Sequence, residues 1–365
     1  MSVYCLDMVR YADTIGYHSD NHETKPLYRD YVINAFNDNM SYDQFTREQL
    51  AGDLIKNRTG SQLIASGYNR LNMNTREGGS QPKEYTAKYL ADRVRNTSTV
   101  WMASTLGCSE CHDHKFDPLP TRDYYRMYAV FAGTQLAERP APFLNQENRS
   151  GLNQKKAITQ RLWNHAKTKH NELYQKQEAA ARKWYNQNGK EYLDANARRK
   201  LPDEEKPPRH VGLSPEEQGR LKVRMQDEWI WKRRLERYQP MVQGVYNGPT
   251  PKNLNARSMR KPNKPGQKVV PVSHVLLGGA LEAPGEKVGP GVLSALEVPV
   301  STKDEDPYLI DDKLQGRRLA LAEWIANSKN PLTARSIVNR VWQHHFGKPL
   351  AGNPNNFGVK GGKPT

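Results

Sequence analysis

One pentapeptide constrains the fold of this chain more than any other stretch, because it holds two of the three cysteines. It reads Cys108-Ser109-Glu110-Cys111-His112 and lies in the run TLGCSECHDHKFDPLP. C-x-x-C-H is the haem c attachment pattern. Two thiols three positions apart can add to the vinyl groups of one porphyrin, and the adjoining histidine can bind the iron. The pattern therefore predicts covalent haem c at Cys108 and Cys111, with His112 as the proximal ligand.

The pentapeptide lies between two segments with helical periodicity. Apolar residues recur at helical spacing before it, at Leu90, Val94 and Trp101, and after it, at Tyr124, Met127, Tyr128 and Phe131. Thr121 is placed to cap the second helix and Gly133 to end it. Two apolar helices beside the cysteines suit a flat macrocycle, so we expect a helical domain over residues 1–138.

Two further helices are expected earlier in this domain. One begins near Pro26 and carries an apolar face made by Tyr28, Tyr31, Val32, Ala35 and Phe36. The other begins with Ser41-Tyr42-Asp43-Gln44, which fits a capping box. A mainly α fold follows from these patterns.

Three regions of different character follow the first domain. Residues 139–245 predict a charged two-helix arm, whose second helix opens with the capping box Ser214-Pro215-Glu216-Glu217. Residues 246–305 are rich in Pro and Gly and contain short strand-like runs, KVVPVSHVLLGG and VLSALEVPVS, while MVQGVY precedes them. Residues 306–365 return to helix and predict the beginning of a further helical domain.

The charge of the arm indicates a preference for anionic partners. The whole chain carries a net charge of +16, and residues 151–239 hold 21 Lys or Arg against 12 Asp or Glu. Aromatic residues interleave with these cations, as in stacking binders of nucleic acid, at Trp163, Trp184, Tyr185, Trp229 and Trp231. Because no recognised nucleic-acid motif accompanies them, we expect an acidic redox partner protein or an anionic polymer instead.

Composition excludes several classes of protein. With 365 residues, 36% of them hydrophobic, and a mean hydropathy of −0.88, the chain has no apolar run long enough to span a membrane. Three cysteines exclude a disulfide framework, and Cys5 is expected to be a small buried residue. No basic and apolar export signal is visible at the N-terminus. No hydrolase triad, paired-carboxylate signature, P-loop or G-x-G-x-x-G is present.

The remaining haem contacts have several candidates. His114 is expected to donate to a haem propionate or a backbone carbonyl, and Lys115 and Arg122 to pair with propionates. Met102 and Met127 are candidates for the sixth iron ligand, with core filling as their alternative role. The histidine candidates for that position are His345 on the apolar face of a helix, its neighbour His344, and His18 and His22. An open sixth position would favour oxidoreductase chemistry, and a filled one electron transfer.

A second class of function stays open beside the haem hypothesis. The cluster at Cys108, Cys111, and His112 or His114 could instead be structural or bind Zn²⁺, although adjacent Cys and His ligands crowd a tetrahedron. The protein would then be a non-redox binding or scaffold module, and its basic arm would carry the function.

Several long runs resemble the planctomycete cytochrome-c-like proteins. In the first domain these runs are RYADTIGY, YRDYVINAFNDNMSYDQFTREQLAGDL, GGSQPKEY, TLGCSECHDHKFDPL and DYYRMYAVFAG. Towards the C-terminus, HVLLGGALEAPGEKVGPGV and RRLALAEWIANSKNPLTARSIVNRVWQHHFGKPLAGNPNNFG are similar to the linker and the opening of that family's C-terminal domain. Both domains of the family are of unknown function, and the first is of the haem c type.

The resemblance implies an extracytoplasmic redox protein. Family members normally carry an export signal and an upstream segment, and they continue past the point where this sequence stops. By that comparison we expect a chain shortened at both ends, whose partners include other domains of a longer chain. Cys5 also stands where the family usually has Trp.

Overall fold

The computed structural model describes residues 1–18, 20–23, 25–141, 143, 149–239, 241–249, 259, 271–301, 305–311 and 313–364. The chain folds into two compact units. The first contains Met1–Pro142 and Met241–Thr365, and the second contains Phe143–Pro240. The described part holds eleven α-helices and two two-stranded sheets, which confirms the mainly α prediction.

The helices and strands are numbered along the whole chain. The helices are α1 (Ser2–Met8), α2 (Pro26–Asn37), α3 (Tyr42–Ala51), α4 (Gly60–Ala65), α5 (Pro82–Met102), α6 (Thr121–Phe131), α7 (Leu152–Gln187), α8 (Ala195–Arg198), α9 (Pro215–Glu236), α10 (Arg317–Ile325) and α11 (Pro331–Phe346). The strands are β1 (Thr134–Pro140), β2 (Met241–Asn247), β3 (Ser273–Leu276) and β4 (Pro284–Val288). None of the described helices is long and apolar enough to span a membrane.

Helix α5 connects the N-terminal helices of the first unit with its C-terminal helices. Trp101, on the last turn of α5, is fully buried, and its indole N–H donates to Thr46 Oγ1 on α3 at 2.8 Å. Ser336 on α11 donates to the carbonyl oxygen of Trp101 at 2.6 Å. Because a buried indole N–H is costly to leave without a partner, these bonds fix the position of α5 against both helices.

Sequence periodicity accounts for the buried face of α2, and capping patterns for some helix ends. Four apolar residues of α2 are buried as predicted, namely Tyr28, Tyr31, Val32 and Ala35. Asn330 caps α11, accepting from the Leu332 N–H at 3.1 Å, and Gly347 ends that helix with φ of 78°.

Two predicted caps of the first domain are wrong. Ser41 occupies the N-cap position of α3, but its side chain accepts no bond from the helix backbone. Its hydroxyl instead hydrogen-bonds the Asp43 carboxylate and, together with Arg47, lowers the pKa of Asp43 to about 2. Pro120, rather than Thr121, is the N-cap of α6. The Thr121 N–H donates to Asp113 Oδ1 at 2.7 Å, so a side chain of the C-x-x-C-H loop takes the place of the cap.

The strands β1 and β2 pair with each other although residues 141–240 separate them in the sequence. Their antiparallel register runs from Thr134 opposite Asn247 to Pro140 opposite Met241. The strand prediction for MVQGVY is therefore confirmed, whereas β1 was not predicted. Pro140 and Met241 are paired, so the chain leaves and re-enters the first unit at neighbouring positions.

The second sheet is a short hairpin between β3 and β4. It confirms a strand within the run KVVPVSHVLLGG, of which residues 268–270 lie outside the described part. The strand expected in VLSALEVPVS is wrong, because Ser294–Leu296 forms a short 3-10 helix there. The Ser294 N–H and hydroxyl both bond Asp123 Oδ2, at 2.7 and 2.6 Å, and this anchor turns the chain away from an extended path.

A buried carboxylate joins the N-terminal and C-terminal parts of the first unit. Asp53 receives two bonds of 2.8 Å from the Arg318 guanidinium on α10 and lies 3.4 Å from Arg139 on β1. Arg318 also donates to the Leu50 carbonyl oxygen at 2.9 Å. The side chains of Asp53 and Arg318 are each about 1% exposed. Such charges are tolerated in a core only when they are paired in this way.

The second unit is built on two long helices, α7 and α9, which pack against each other. The capping box predicted at the start of α9 is confirmed, since Ser214 Oγ accepts from the Glu217 N–H and Glu217 accepts from the Ser214 N–H. His170 Nδ1 and Glu228 Oε2, 2.6 Å apart, join the two helices.

A second buried charged cluster lies in the first unit around Glu23. Arg70, which is fully buried, donates to Glu23 Oε1 at 3.1 Å, and Arg76 pairs with the other carboxylate oxygen. Lys25 Nζ donates to the backbone carbonyl of Glu23 at 3.3 Å. Burial lowers the pKa of Lys25 to about 8, and the repulsion of Arg70 acts in the same direction.

We expect Lys25 to make the stability of the first unit rise with pH above pH 8. Its folded pKa, about 8, lies below the ordinary value of 10.5, so the unfolded chain binds more protons between these values. In urea titrations at pH 8 and pH 10, the free energy of unfolding of the wild type should gain about 2 kcal/mol relative to Lys25→Met. A difference that does not change with pH would contradict this expectation.

Candidate functional site

The C-x-x-C-H loop begins where α5 ends. Ala103 adopts a left-handed conformation with φ of 45°, and its N–H donates to the Thr99 carbonyl oxygen at 3.2 Å. A 3-10 helix over Leu106–Glu110 follows and contains Cys108, while Cys111 comes directly after it. Both cysteines therefore lie on one turn of chain, with Cys111 as the C-cap of the 3-10 helix at φ of −107° and ψ of −30°. Both thiols are free and exposed.

The His112 ring is exposed and fixed by one hydrogen bond. Nδ1 lies 2.7 Å from the backbone carbonyl oxygen of Asp113. A carbonyl oxygen can only accept, so Nδ1 carries the proton and Nε2 keeps its lone pair. No described residue bonds to Nε2. Metal-binding histidines generally donate their second ring nitrogen to a carbonyl or carboxylate in this way.

The His114 ring, in contrast, uses both of its nitrogens in hydrogen bonds within the loop. Its Nδ1 accepts from the backbone N–H groups of Phe116, at 3.3 Å, and Asp117, at 2.9 Å. Nε2 therefore carries the proton and donates to Thr105 Oγ1 at 3.0 Å. This donor bonds a hydroxyl within the chain, and the predicted bond to a haem propionate or a carbonyl stays a prediction. The tight turn that precedes Pro118 brings both amides onto the ring, which makes His114 a residue that shapes the loop.

Helix α6 and the hairpin hold the loop from one side. Tyr125 on α6 donates its hydroxyl to the Glu110 carbonyl oxygen at 2.8 Å, and burial raises its pKa, so this donor stays protonated. At Gly279, in the turn of the β3–β4 hairpin, a Cβ atom would lie 2.8 Å from Cys111 Sγ. Because φ there is also +75°, only glycine is compatible with this approach. Arg122 lies 3.8 Å from Glu286 of the same hairpin.

The C-terminal segment holds the loop from another side. Phe357 N–H donates to the Ala103 carbonyl oxygen at 2.9 Å, and Val359 N–H donates to Asp117 Oδ1 at 2.7 Å. Lys360 Nζ lies 4.6 Å from the centroid of the Phe116 ring, and Lys115 Nζ lies 5.4 Å from the same centroid. Sequence reasoning found Lys115 but missed Gly279, Val359 and Lys360, because their contacts join segments more than 150 residues apart.

Large apolar side chains remain exposed on the segments that border the loop. Phe116 is 44% exposed, Leu277 of the hairpin 61% and Val359 of the C-terminal segment 72%. Together with the two lysines they form what we call the rim, defined as Lys115, Phe116, Leu277, Val359 and Lys360.

The candidates for the sixth iron ligand differ in accessibility. Met102 and Met127 have no exposed surface, so they fill the core, which is their alternative role. His344 packs edge-on against Tyr4, with ring centroids 4.8 Å apart, and His345 beside it is exposed. His18 pairs with Glu77 at 3.3 Å, and His22 forms an isolated bridge with Thr14. No contact in the described part links these histidines to the two thiols.

No preformed zinc site is present among the described residues. Among the described residues, no group of three His, Cys, Asp or Glu side chains could hold a metal ion. Zinc at Cys108, Cys111 and either histidine would therefore require the loop to rearrange. Cys5 was predicted to be buried but is partly exposed, and desolvation raises the pKa of its thiol to about 12, which disfavours the thiolate.

Two segments of the first unit match protein-family models. Residues 1–136 match PSCyt2, described as a protein of unknown function (DUF1549), and residues 317–365 match PSD1, also of unknown function (DUF1553). The C-x-x-C-H loop lies inside the first match, and Val359 and Lys360 lie inside the second. No curated protein and no solved structure matches the chain.

Proposed function

We propose that this protein binds haem c covalently through Cys108 and Cys111, with His112 on the iron, and transfers electrons. One observation carries the proposal. The two cysteines lie three positions apart on one turn of chain and both are exposed, and His112 beside them holds its Nδ1–H on the Asp113 carbonyl, leaving Nε2 open. This is the tautomer that an iron ligand needs.

The exposure of the site supports attachment of a large group. Cys108, Cys111 and His112 are all exposed, so a macrocycle can reach them without opening the core. The buried ends of α5 and α6 stand behind the loop and keep it rigid. Bound haem c supplies a one-electron couple at its iron.

The rim would cover and orient the bound group. Phe116 and Leu277 offer apolar contact to a macrocycle edge, and burial of such side chains is favourable. Lys115 and Lys360 stand at the same ring and can pair with carboxylates in charge-assisted bonds. Arg122, proposed from the sequence for the same role, faces Glu286 and is less available. In this proposal the C-terminal segment contributes directly to the haem site.

The partner and location follow from the same chemistry. Haem c is normally attached outside the cytoplasmic membrane, and the resemblance to planctomycete proteins favours an extracytoplasmic protein. A redox partner protein, or another domain of a longer chain, would dock at the rim and exchange electrons there. An oxidoreductase with an open sixth position is the enzymatic form of the proposal.

The proposal is tested by spectra of the denatured protein. The chain is produced in a host that attaches haem c, and a pyridine haemochrome spectrum is recorded. We expect one covalent haem per wild-type chain, and none in Cys108→Ser/Cys111→Ser. Cys5→Ser is the matched control, because it removes the third cysteine far from the motif in sequence, and should retain the haem. The absence of covalent haem from the wild-type protein would contradict the proposal.

A second spectrum distinguishes electron transfer from catalysis at an open iron. Carbon monoxide is added to the reduced wild-type protein. An unchanged spectrum indicates a filled sixth position and supports electron transfer. A spectrum shifted by carbon monoxide indicates an open position and supports the oxidoreductase form.

A further inference from the structure

A basic cleft lies in the second unit, apart from anything that the haem proposal uses. It has a volume of about 750 Å³ and lies between Gln177 of α7 and the turn-rich segment 195–211. Its basic lining residues are Arg198, Arg199, Lys206, Arg209 and His210. Asp203 is the single acidic residue among those that line it.

Two of these cations are already neutralised. Arg198 is buried and pairs with Glu178, which also accepts from the Tyr192 hydroxyl at 2.7 Å. Lys206 pairs with Asp203 at 2.6 Å and donates to the Leu201 carbonyl oxygen at 3.1 Å. These pairs shape the cleft and leave little charge over for a ligand.

Arg199 and Arg209 are the cations that remain. Both are exposed, and neither forms a hydrogen bond or ion pair with a described residue. The only lining carboxylate is occupied by Lys206. The cleft therefore keeps two unneutralised guanidinium groups, each able to bind an oxyanion through two parallel N–H donors.

His210 supplies an independent indication of a ligand. The residue lines the cleft, and its Nδ1 is buried without a hydrogen-bond partner in the described part. A buried polar atom in this state is costly, and it requires an explanation. His210 also has φ of 65°, a left-handed conformation that costs about 1–3 kcal/mol for a residue other than glycine. Strain of this kind is commonly retained where a side chain must be presented to a ligand.

We propose that this cleft binds a tetrahedral oxyanion, a phosphate or sulfate group that is either free or carried on a larger molecule. Arg199 and Arg209 hold its oxygens in charge-assisted bonds, and the imidazole of His210 provides a further polar contact. The site would give the positively charged arm a specific anchor, in addition to its general attraction for anions.

The test measures anion binding by the full chain. Inorganic phosphate and inorganic sulfate are titrated calorimetrically at constant ionic strength, with chloride as the reference. We expect saturable binding of at least one oxyanion, weakened at least tenfold in Arg199→Gln/Arg209→Gln. The matched control is Arg220→Gln/Arg224→Gln, which removes the same charge from α9 outside the cleft and should change affinity less than twofold. Binding no different from chloride, or equal losses in both variants, would overturn the proposal.

A third variant separates binding from folding. His210→Gly relieves the left-handed strain, so it should stabilise the second unit while weakening oxyanion binding severalfold. Loss of both together would show that His210 is structural and contradict its role in the site. Titration with polyphosphate shows whether the bound oxyanion is free or carried on a larger molecule. Tighter binding per phosphate group than inorganic phosphate indicates a polymer-borne ligand. Equal binding indicates the free ion. Both results agree with the proposal that the cleft binds a tetrahedral oxyanion.

Discussion

Asp53→Asn is expected to lower the free energy of unfolding of the first unit by about 3–5 kcal/mol. The carboxylate lies between two guanidiniums, those of Arg318 and Arg139, in a site where the Asp53 and Arg318 side chains are about 1% exposed. The neutral amide keeps the shape of the carboxylate but removes its charge, leaving two buried cations without their counter-ion. The desolvation of Arg318, no longer offset, then opposes folding. Urea titration followed by tryptophan fluorescence measures the change.

An exposed ion pair between α3 and α10 gives the matched control. Arg47 on α3 lies 2.7 Å from Glu323 on α10, with the two side chains 31% and 53% exposed. Because exposed pairs are screened by solvent, Arg47→Gln should cost less than about 1 kcal/mol. Equal losses in Asp53→Asn and Arg47→Gln would contradict the burial argument. The comparison works because both pairs tie α10 to α3 or to the 3-10 helix Gly52–Leu54 that follows it, and one pair is buried while the other is exposed.

His112→Gly is expected to change the iron coordination of the haem-loaded protein, and added imidazole should restore it. The ring is exposed, and within the described part only the Asp113 carbonyl bonds it, so its removal leaves an accessible space next to Cys111. Millimolar imidazole can enter that space and supply the missing nitrogen. The absorption spectrum should lose the features of histidine ligation, then regain them as imidazole is titrated.

His114→Gln serves as the comparison, since both changes remove an imidazole from the same loop. His114 shapes the loop through Thr105 and two backbone amides, so its loss should lower stability. The spectrum should retain the features of histidine ligation in that variant. An unchanged spectrum in His112→Gly, or a loss of ligation in His114→Gln, would show that the assignment of the proximal ligand is wrong.

Local sequence patterns predicted the individual helices better than they predicted the contacts between helices. The buried face of α2 and the Ser214 capping box both follow from neighbours within one or two turns. Ser41 shows the limit of such patterns. It occupies the predicted position, but the nearby Asp43 carboxylate competes successfully for its hydroxyl.

Long-range partners could not be inferred from the sequence. Nothing local to residues 134–140 indicates a strand partner beyond residue 240, because pairing depends on the folded path. From the sequence alone, Arg318 and Arg139 would be expected at the surface, since arginine is rarely buried unless it is paired. The rim around the cysteines likewise gathers Leu277 and Lys360 from distant segments. For the candidate site, the sequence singled out Cys108, Cys111 and His112, while the residues that contact their loop emerged from the fold.

The pairing of Pro140 with Met241 makes the first unit tolerant of change in the segment between them. Two neighbouring strand ends can be joined by a turn of a few residues or by a chain of any length, since the entropy of closing a loop grows only slowly with its size. The register of β1 and β2 is set by their own side chains and backbone bonds. This junction is therefore a natural point for insertion, where whole helical segments can be lengthened, exchanged or deleted during evolution while the core that holds the cysteine loop is inherited intact.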